Sequence, residues 1–253
     1  MMLRFLLTSV LFFAAIGADA AEVLKAYGPG GPAPALKEAA QAFERRTGTK
    51  VEITAGPTAQ WQDQAKTDAD LIFSGSEHMM ADFVKTLDGI IVESTIVPLY
   101  LRPLAILVRP GNPKTVKGVA DLFKPGLKIL VVNGAGQTGA WEDMAGRSGD
   151  IAKLRALRSN IVFQADSSAQ ARQRWIDDST LDVWLIWNIW QVANKELAEV
   201  VPIEPRYAIY RDSGIALTRR SVADARARAF IEFLLSPDGA AIFRRWGWEA
   251  NAA

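Results

Sequence analysis

The sequence contains no cysteine and one histidine, His78. The first absence excludes disulfide scaffolds, cysteine zinc sites, iron–sulfur clusters and thiol nucleophiles. The second excludes any metal site built on two or three imidazoles and leaves a Ser-His-Asp triad a single candidate base. A basic excess is also missing: 29 Lys and Arg stand against 28 Asp and Glu, for a formal charge of +1. Nucleic-acid binders normally carry a clear positive surplus, so that class of partner is not expected. Beyond the N-terminus no apolar run is long enough to span a bilayer, which takes about 20 residues. Asp182–Trp190 (DVWLIWNIW) is apolar but short and holds Asp182 and Asn188.

What is present begins with an address. Arg4 precedes the apolar run Phe5–Ile16, and Ala18-Asp19-Ala20 supplies small residues where a signal peptidase reads them. Residues 1–20 are expected to be a secretory signal peptide, cleaved after Ala20, with export to the periplasm and no stable membrane insertion afterwards.

After residue 22 the pattern alternates strand, loop and helix. Strands are expected at Val23–Ala26, Val51–Thr54 and Asp70–Phe73, with helices at Pro34–Thr47, Thr58–Lys66 and from Glu77. The strand Leu104–Val108 lies between proline-rich turns. A second series follows, with strands at Lys128–Val132, Ile161–Phe163 and Asp182–Trp187. An extended stretch at Tyr207–Leu217 precedes helices at Val222–Leu234 and Gly239–Arg245. Such alternation implies parallel sheets with helices on their faces. Four loops that each follow a strand and precede a helix share one chemistry: Tyr27–Pro32, Ser74–Ser76, Gly134–Gly139 and Asp166–Ser168. Gly, Ser and Thr there present amide and hydroxyl donors at helix N-termini, which carry partial positive charge. In open α/β sheets ligands bind beyond the carboxyl ends of the strands, where these loops fall. GAGQTG has the spacing of a dinucleotide fingerprint but lies mid-chain without its acidic partner, so no nucleotide cofactor is expected.

The segments AYGPGGP, AFERRTGTKVEI, GPTAQWQDQAKTDADLIFSGSE and PLYLRPLAILVRPGNP resemble periplasmic solute-binding proteins of the molybdate/sulfate type. YGPGGP, GTKVEITAGP, GAWEDMAGR, RSNIV and IYR are more closely similar to the accessory colonization factor (AcfC) family. The resemblance implies an α/β type II periplasmic binding protein fold. Two lobes, 22–104 plus 212–253 and 105–211, would be joined by crossover strands at Leu101–Val108 and Tyr207–Ile215. It also implies a small anion held in the cleft and delivered to an ABC permease, with a homodimer open. Carried onto this sequence, the ligand residues of the first lobe are Tyr27, Gly28, Gly30, Pro57, Trp61, Ser74, Gly75 and Ser76. Arg102 beside the crossover is the bidentate candidate. The second lobe offers Gly136, Gln137, Thr138, Gly139, Ser167, Ser168 and Trp187, and the return crossover Tyr210 and Arg211.

Other residues read more plainly. His78 has no histidine or cysteine partner and is expected at the surface or the cleft edge, with no metal. Trp141, Trp175, Trp184, Trp187 and Trp190 are expected chiefly in the core, with a sugar-stacking platform as the alternative. Glu142 and Asp143 are adjacent and so point to different helix faces. No nucleophile, base and orienter come together, so no enzyme activity and no cofactor are expected. An exported adhesin or antigenic surface protein on the same fold, or an exported hydrolase, are the alternatives.

Overall fold

The structure is a computed structural model describing residues 23–250; the expected signal segment 1–20 lies outside the described residues. The chain opens with β1 (Leu24–Gly28), α1 (Ala33–Thr47), β2 (Val51–Ala55), α2 (Gln62–Asp68), β3 (Leu71–Phe73) and α3 (Glu77–Thr86). A long strand, β4 (Val97–Val108), leads to α4 (Val119–Leu122), β5 (Ile129–Val132), α5 (Ala140–Gly146), α6 (Ile151–Asn160), β6 (Ile161–Ala165) and α7 (Ser168–Asp177). Then come β7 (Val183–Trp187), α8 (Ile189–Ala193), β8 (Glu199–Val201), β9 (Tyr210–Leu217), α9 (Ala225–Leu235) and α10 (Pro237–Arg245).

The strands run in the order β2-β1-β3-β9-β4-β7-β5-β6, with β8 also paired to β4. β1 pairs in parallel with β2 and β3, and β5 with β6 and β7. β4 changes partner along its length. Val97–Pro103 pairs antiparallel with β9, while Leu104–Val108 pairs antiparallel with β7. Its two prolines fit this break in the ladder, since proline donates no hydrogen bond and is confined to edges and bulges. Pro98 sits at a register shift, and Pro103 is the last residue opposite β9.

β4 therefore begins at Val97 rather than Leu101. The extended stretch expected from Tyr207 begins instead at Tyr210 as β9, because Tyr207 ends a 3-10 turn, Pro205–Tyr207, with its side chain buried. The helix expected over Thr58–Lys66 is also broken. A 3-10 turn, Thr58–Gln60, precedes α2, and Trp61 leaves helical geometry between them. Its indole is buried edge-on to Phe83, 5.4 Å away, and its Nε1 donates to the Gly56 carbonyl at 3.1 Å. Burying that ring outweighs continuing a short polar helix.

α1 buries Leu36, Ala39, Ala40 and Phe43, the face its apolar spacing marks, and packs beside α9 and α10. On the far side, α7 is held at its C-terminal end by Arg109, the residue after β4. The guanidinium lies 3.7 Å from the Trp175 ring centroid. Its Nε donates to the Leu181 carbonyl at 3.0 Å and its Nη2 to the Trp175 and Asp178 carbonyls at 2.9 and 2.6 Å. A cation among the orphan carbonyls of a helix C-terminus satisfies acceptors and opposes the dipole. Partial burial lowers its pKa from the ordinary value. Arg109→Met is expected to lower the unfolding free energy by about 2–3 kcal/mol, the scale of hydrogen bonds to a charged group. Urea denaturation reads this, and a change within about 0.5 kcal/mol, as for an ordinary surface substitution, would contradict the clamp.

Candidate functional site

The carboxyl ends of β1, β2, β3, β5, β6 and β7 lead into loops that converge on one cavity. The β1 loop contributes Pro29, Gly30 and Gly31, and the β2 loop Gly56, Pro57 and Thr58. Gly75 follows β3, with Met79 of α3 beside it. Gly136 and Gln137 follow β5, Ser167, Ser168 and Ala169 follow β6, and Trp190 follows β7. Arg102 comes from β4 itself. The cavity holds about 90 Å³ of space open to the centre of a water molecule. One water needs only about 10–15 Å³ by that measure, so a ligand of several non-hydrogen atoms fits.

Arg102 is 3% exposed. Its guanidinium lies between two indoles, 4.9 Å from the Trp187 ring centroid and 5.1 Å from that of Trp248. Nη2 donates to the Gly75 carbonyl, and Nε is buried with no partner among the described residues. Three glycines enclose the charged end. A Cβ would stand 2.7 Å from Nη1 at Gly31 and 2.9 Å from Nη2 at Gly75. At Gly136 a Cβ would stand 3.2 Å from Nη2 and 2.7 Å from the Gly75 carbonyl oxygen. Burial pulls the guanidinium pKa down to about 9, partly opposed by Asp212, so the group stays charged at neutral pH. A buried cation with one protein acceptor has hydrogen-bonding capacity left for an anion.

The start of α7 also lines the cavity. Ser167 caps it by accepting from the Gln170 amide at 3.2 Å, and Gln137 Nε2 donates to Ser168 Oγ at 2.6 Å. The Ser168 and Ala169 amides lie in the first turn, where a helix leaves its N–H groups without intrahelical acceptors. This is the geometry that favours an anion. Among the described residues lining the cavity there is no carboxylate, histidine or lysine.

Of the residues expected from sequence, Gly30, Pro57, Gly75, Arg102, Gly136, Gln137, Ser167 and Ser168 line this cavity. The others lie elsewhere. Tyr27 is buried and its hydroxyl donates to Asp68 Oδ1 at 2.8 Å. Gly28 packs against Phe73, and Trp61 supports the β2 loop from behind. Ser74 ties its loop to β9, accepting from the Gly214 amide at 3.2 Å. Ser76 is the N-cap of α3, accepting from the Met79 amide at 3.1 Å. Trp187 is fully buried and meets Arg102 rather than the cavity. Gly139 caps α5, and Tyr210 is exposed. Thr138 and Arg211 line a second crevice with Ser76, His78 and Gly136, where Arg211 is paired with Asp143 at 2.6 Å.

Several lining residues escaped sequence reading. Gly31, Gly56, Thr58 and Ala169 adjoin residues already singled out, and Trp190 lay in the tryptophan-rich stretch. No local signal marks the lining residue Met79, nor Trp248, which meets Arg102 without lining the cavity. No group of His, Asp or Glu among the described residues could hold a metal, and no described helix is long and apolar enough to cross a membrane.

A family model described as bacterial extracellular solute-binding protein matches residues 24–249. The chain belongs to that family. Peb3 from Campylobacter jejuni is 34% identical, with a TM-score of 0.83 over 89% of this chain and 99% of its own. A PEB3 structure with L-phospholactate bound aligns with a TM-score of 0.84 at 34% identity and the same coverage. The sulfate-binding protein of Salmonella typhimurium is 26% identical over 159 residues, 55% of this chain and 48% of its own length. The chain thus spans about half the length of the curated relatives it matches. A molybdate-binding protein from Azotobacter vinelandii shares the fold, with a TM-score of 0.66 at 19% identity over 89% of this chain and 98% of its own. The fold is that of the type II periplasmic binding proteins.

Proposed function

We propose that this chain captures a small anion in the periplasm and delivers it to an ABC-type importer. The anion is a phosphorylated short carboxylic acid rather than a bare oxyanion. The observation that carries this reading is Arg102, a buried charge at a cavity that a helix N-terminus also lines. The cavity exceeds the space of a lone tetrahedral ion, and Pro29, Pro57, Met79, Ala169 and Trp190 give it apolar surface for a short carbon chain. PEB3, which binds L-phospholactate, supports the same class of ligand. The absence of acids and histidine from the described lining favours capture over bond cleavage. The AcfC-type motifs YGPGGP and GAWEDMAGR support reading the chain as a member of the AcfC branch of the family.

The working parts are two lobes, 22–104 plus 212–253 and 105–211. The change of partner along β4, near Pro103, supports this division. Ligand touching loops of both lobes stabilises the closed form by its differential affinity for it. A thermal-shift panel of L-phospholactate, phosphate, sulfate, molybdate and citrate tests the assignment. A true ligand at 100 times its Kd adds about 2.7 kcal/mol of stability. For a chain of this size that raises the melting temperature by roughly 5–10 °C. L-phospholactate is expected to give the largest shift. If no anion moves the midpoint, the transport reading loses its basis.

A further inference from the structure

The C-terminal segment Gly247–Ala250 leaves α10 and returns to β4 beside Arg102. The Glu249 amide donates to the Leu101 carbonyl at 2.7 Å, and the Leu101 amide donates to the Glu249 carbonyl at 3.3 Å. Arg244 Nη1 donates to the Ala250 carbonyl at 2.8 Å. Asn188 Nδ2, just past β7, donates to the Gly247 carbonyl at 2.6 Å. Gly247 adopts a φ of +82°, and a Cβ there would stand 2.9 Å from Val192 Cγ2 and 3.1 Å from Asn188 Nδ2. The segment is therefore attached to α10, to β4 and to the turn after β7 at once. Trp248 is buried, edge-on to Phe243 at 5.7 Å, and its ring also meets the Arg102 guanidinium.

We propose that Trp248 is a positioning residue for anion binding: the C-terminal segment holds its indole against Arg102, and with Trp187 it fixes the plane in which the guanidinium meets the ligand. This rests on the reading of the Arg102 cavity as the anion site. The guanidinium needs such support because, among the described residues, its one hydrogen bond is to Gly75. One bond does not by itself fix the plane of the fork, and a misaligned fork forfeits the bidentate geometry that makes arginine selective for oxyanions. Two ring faces supply the orientation that a carboxylate partner would otherwise give, without neutralising the charge.

Titration calorimetry with L-phospholactate on the chain from residue 21 onward tests this. Trp248→Leu is expected to weaken binding at least tenfold, and Trp248→Phe, which keeps an aromatic face, less than threefold. The two variants should have similar melting temperatures without ligand. Equal affinity losses in both, or none in either, overturn the proposal. A urea-unfolding cycle of Arg102→Met, Trp248→Leu and the double variant reads the contact without any ligand. The two effects on the midpoint are expected to be non-additive, and strict additivity overturns the proposal. Should the unsubstituted chain not bind L-phospholactate, the functional reading fails on its own account, and the cycle still decides whether the indole and guanidinium are coupled.

Discussion

Arg102→Met is expected to weaken binding of the anion by at least about 100-fold, with little change in the stability of the free protein. Two charge-assisted hydrogen bonds, at about 1.5–3 kcal/mol each, set that scale, since every 1.4 kcal/mol is about tenfold. Stability should hardly move because two costs oppose each other. Removing the charge relieves the desolvation of a group 3% exposed and partnered, among the described residues, by the Gly75 carbonyl. Against this, the attraction between Arg102 and Asp212 is lost, and Asp212 Oδ2 is already buried without a partner among the described residues. Titration calorimetry and thermal denaturation together measure both quantities. Affinity within threefold of the parent would remove Arg102 from the site, and a collapse of the free protein would make it a structural residue.

Gly136→Ala is the second large effect, and it reports on closure rather than charge. The added methyl would stand 2.7 Å from the Gly75 carbonyl oxygen and 3.0 Å from its carbon, and backbone there cannot yield as a flexible side chain can. The β3 and β5 loops would have to part by several tenths of an ångström, carrying Arg102 Nη2 away from its acceptor. Anion affinity should fall at least tenfold, because a form that cannot close binds only through one lobe. The melting temperature without ligand should change little, since Gly136 lies in a loop whose separation exposes no large apolar surface. Binding at the parental level would mean that these two loops need not meet for capture.

Much of this was legible in local pattern. The loops that build the cavity follow strands and precede helices, and their Gly and Ser content marks Gly30, Gly75, Gly136, Ser167 and Ser168, all of which line it. KILVV and DVWLIW read as strands because continuous apolar runs of that length suit a buried parallel sheet, and they form β5 and β7. Three kinds of feature were not legible. The prolines of β4 suggest a shorter strand, whereas Pro98 occupies a register shift and Pro103 the change of partner. Tyr27, Trp61, Ser74 and Trp187 stand close to lining residues in sequence, yet a hydrogen bond or buried ring contact of their own holds them away from the cavity. Trp248 reaches Arg102 from 146 positions further along the chain. No periodicity encodes such a contact, and it emerges only when α10 has packed and Glu249 has paired with Leu101.

The account turns on where the anion sits, and a crystal structure of the chain grown with L-phospholactate measures that directly. The phosphate is expected within hydrogen-bond distance of Arg102 Nη1 and of the Ser168 and Ala169 amides, with the carbon chain against Trp190 and Met79. Ligand density in the crevice of His78 and Arg211 instead, or an Arg102 cavity holding only water, would contradict it.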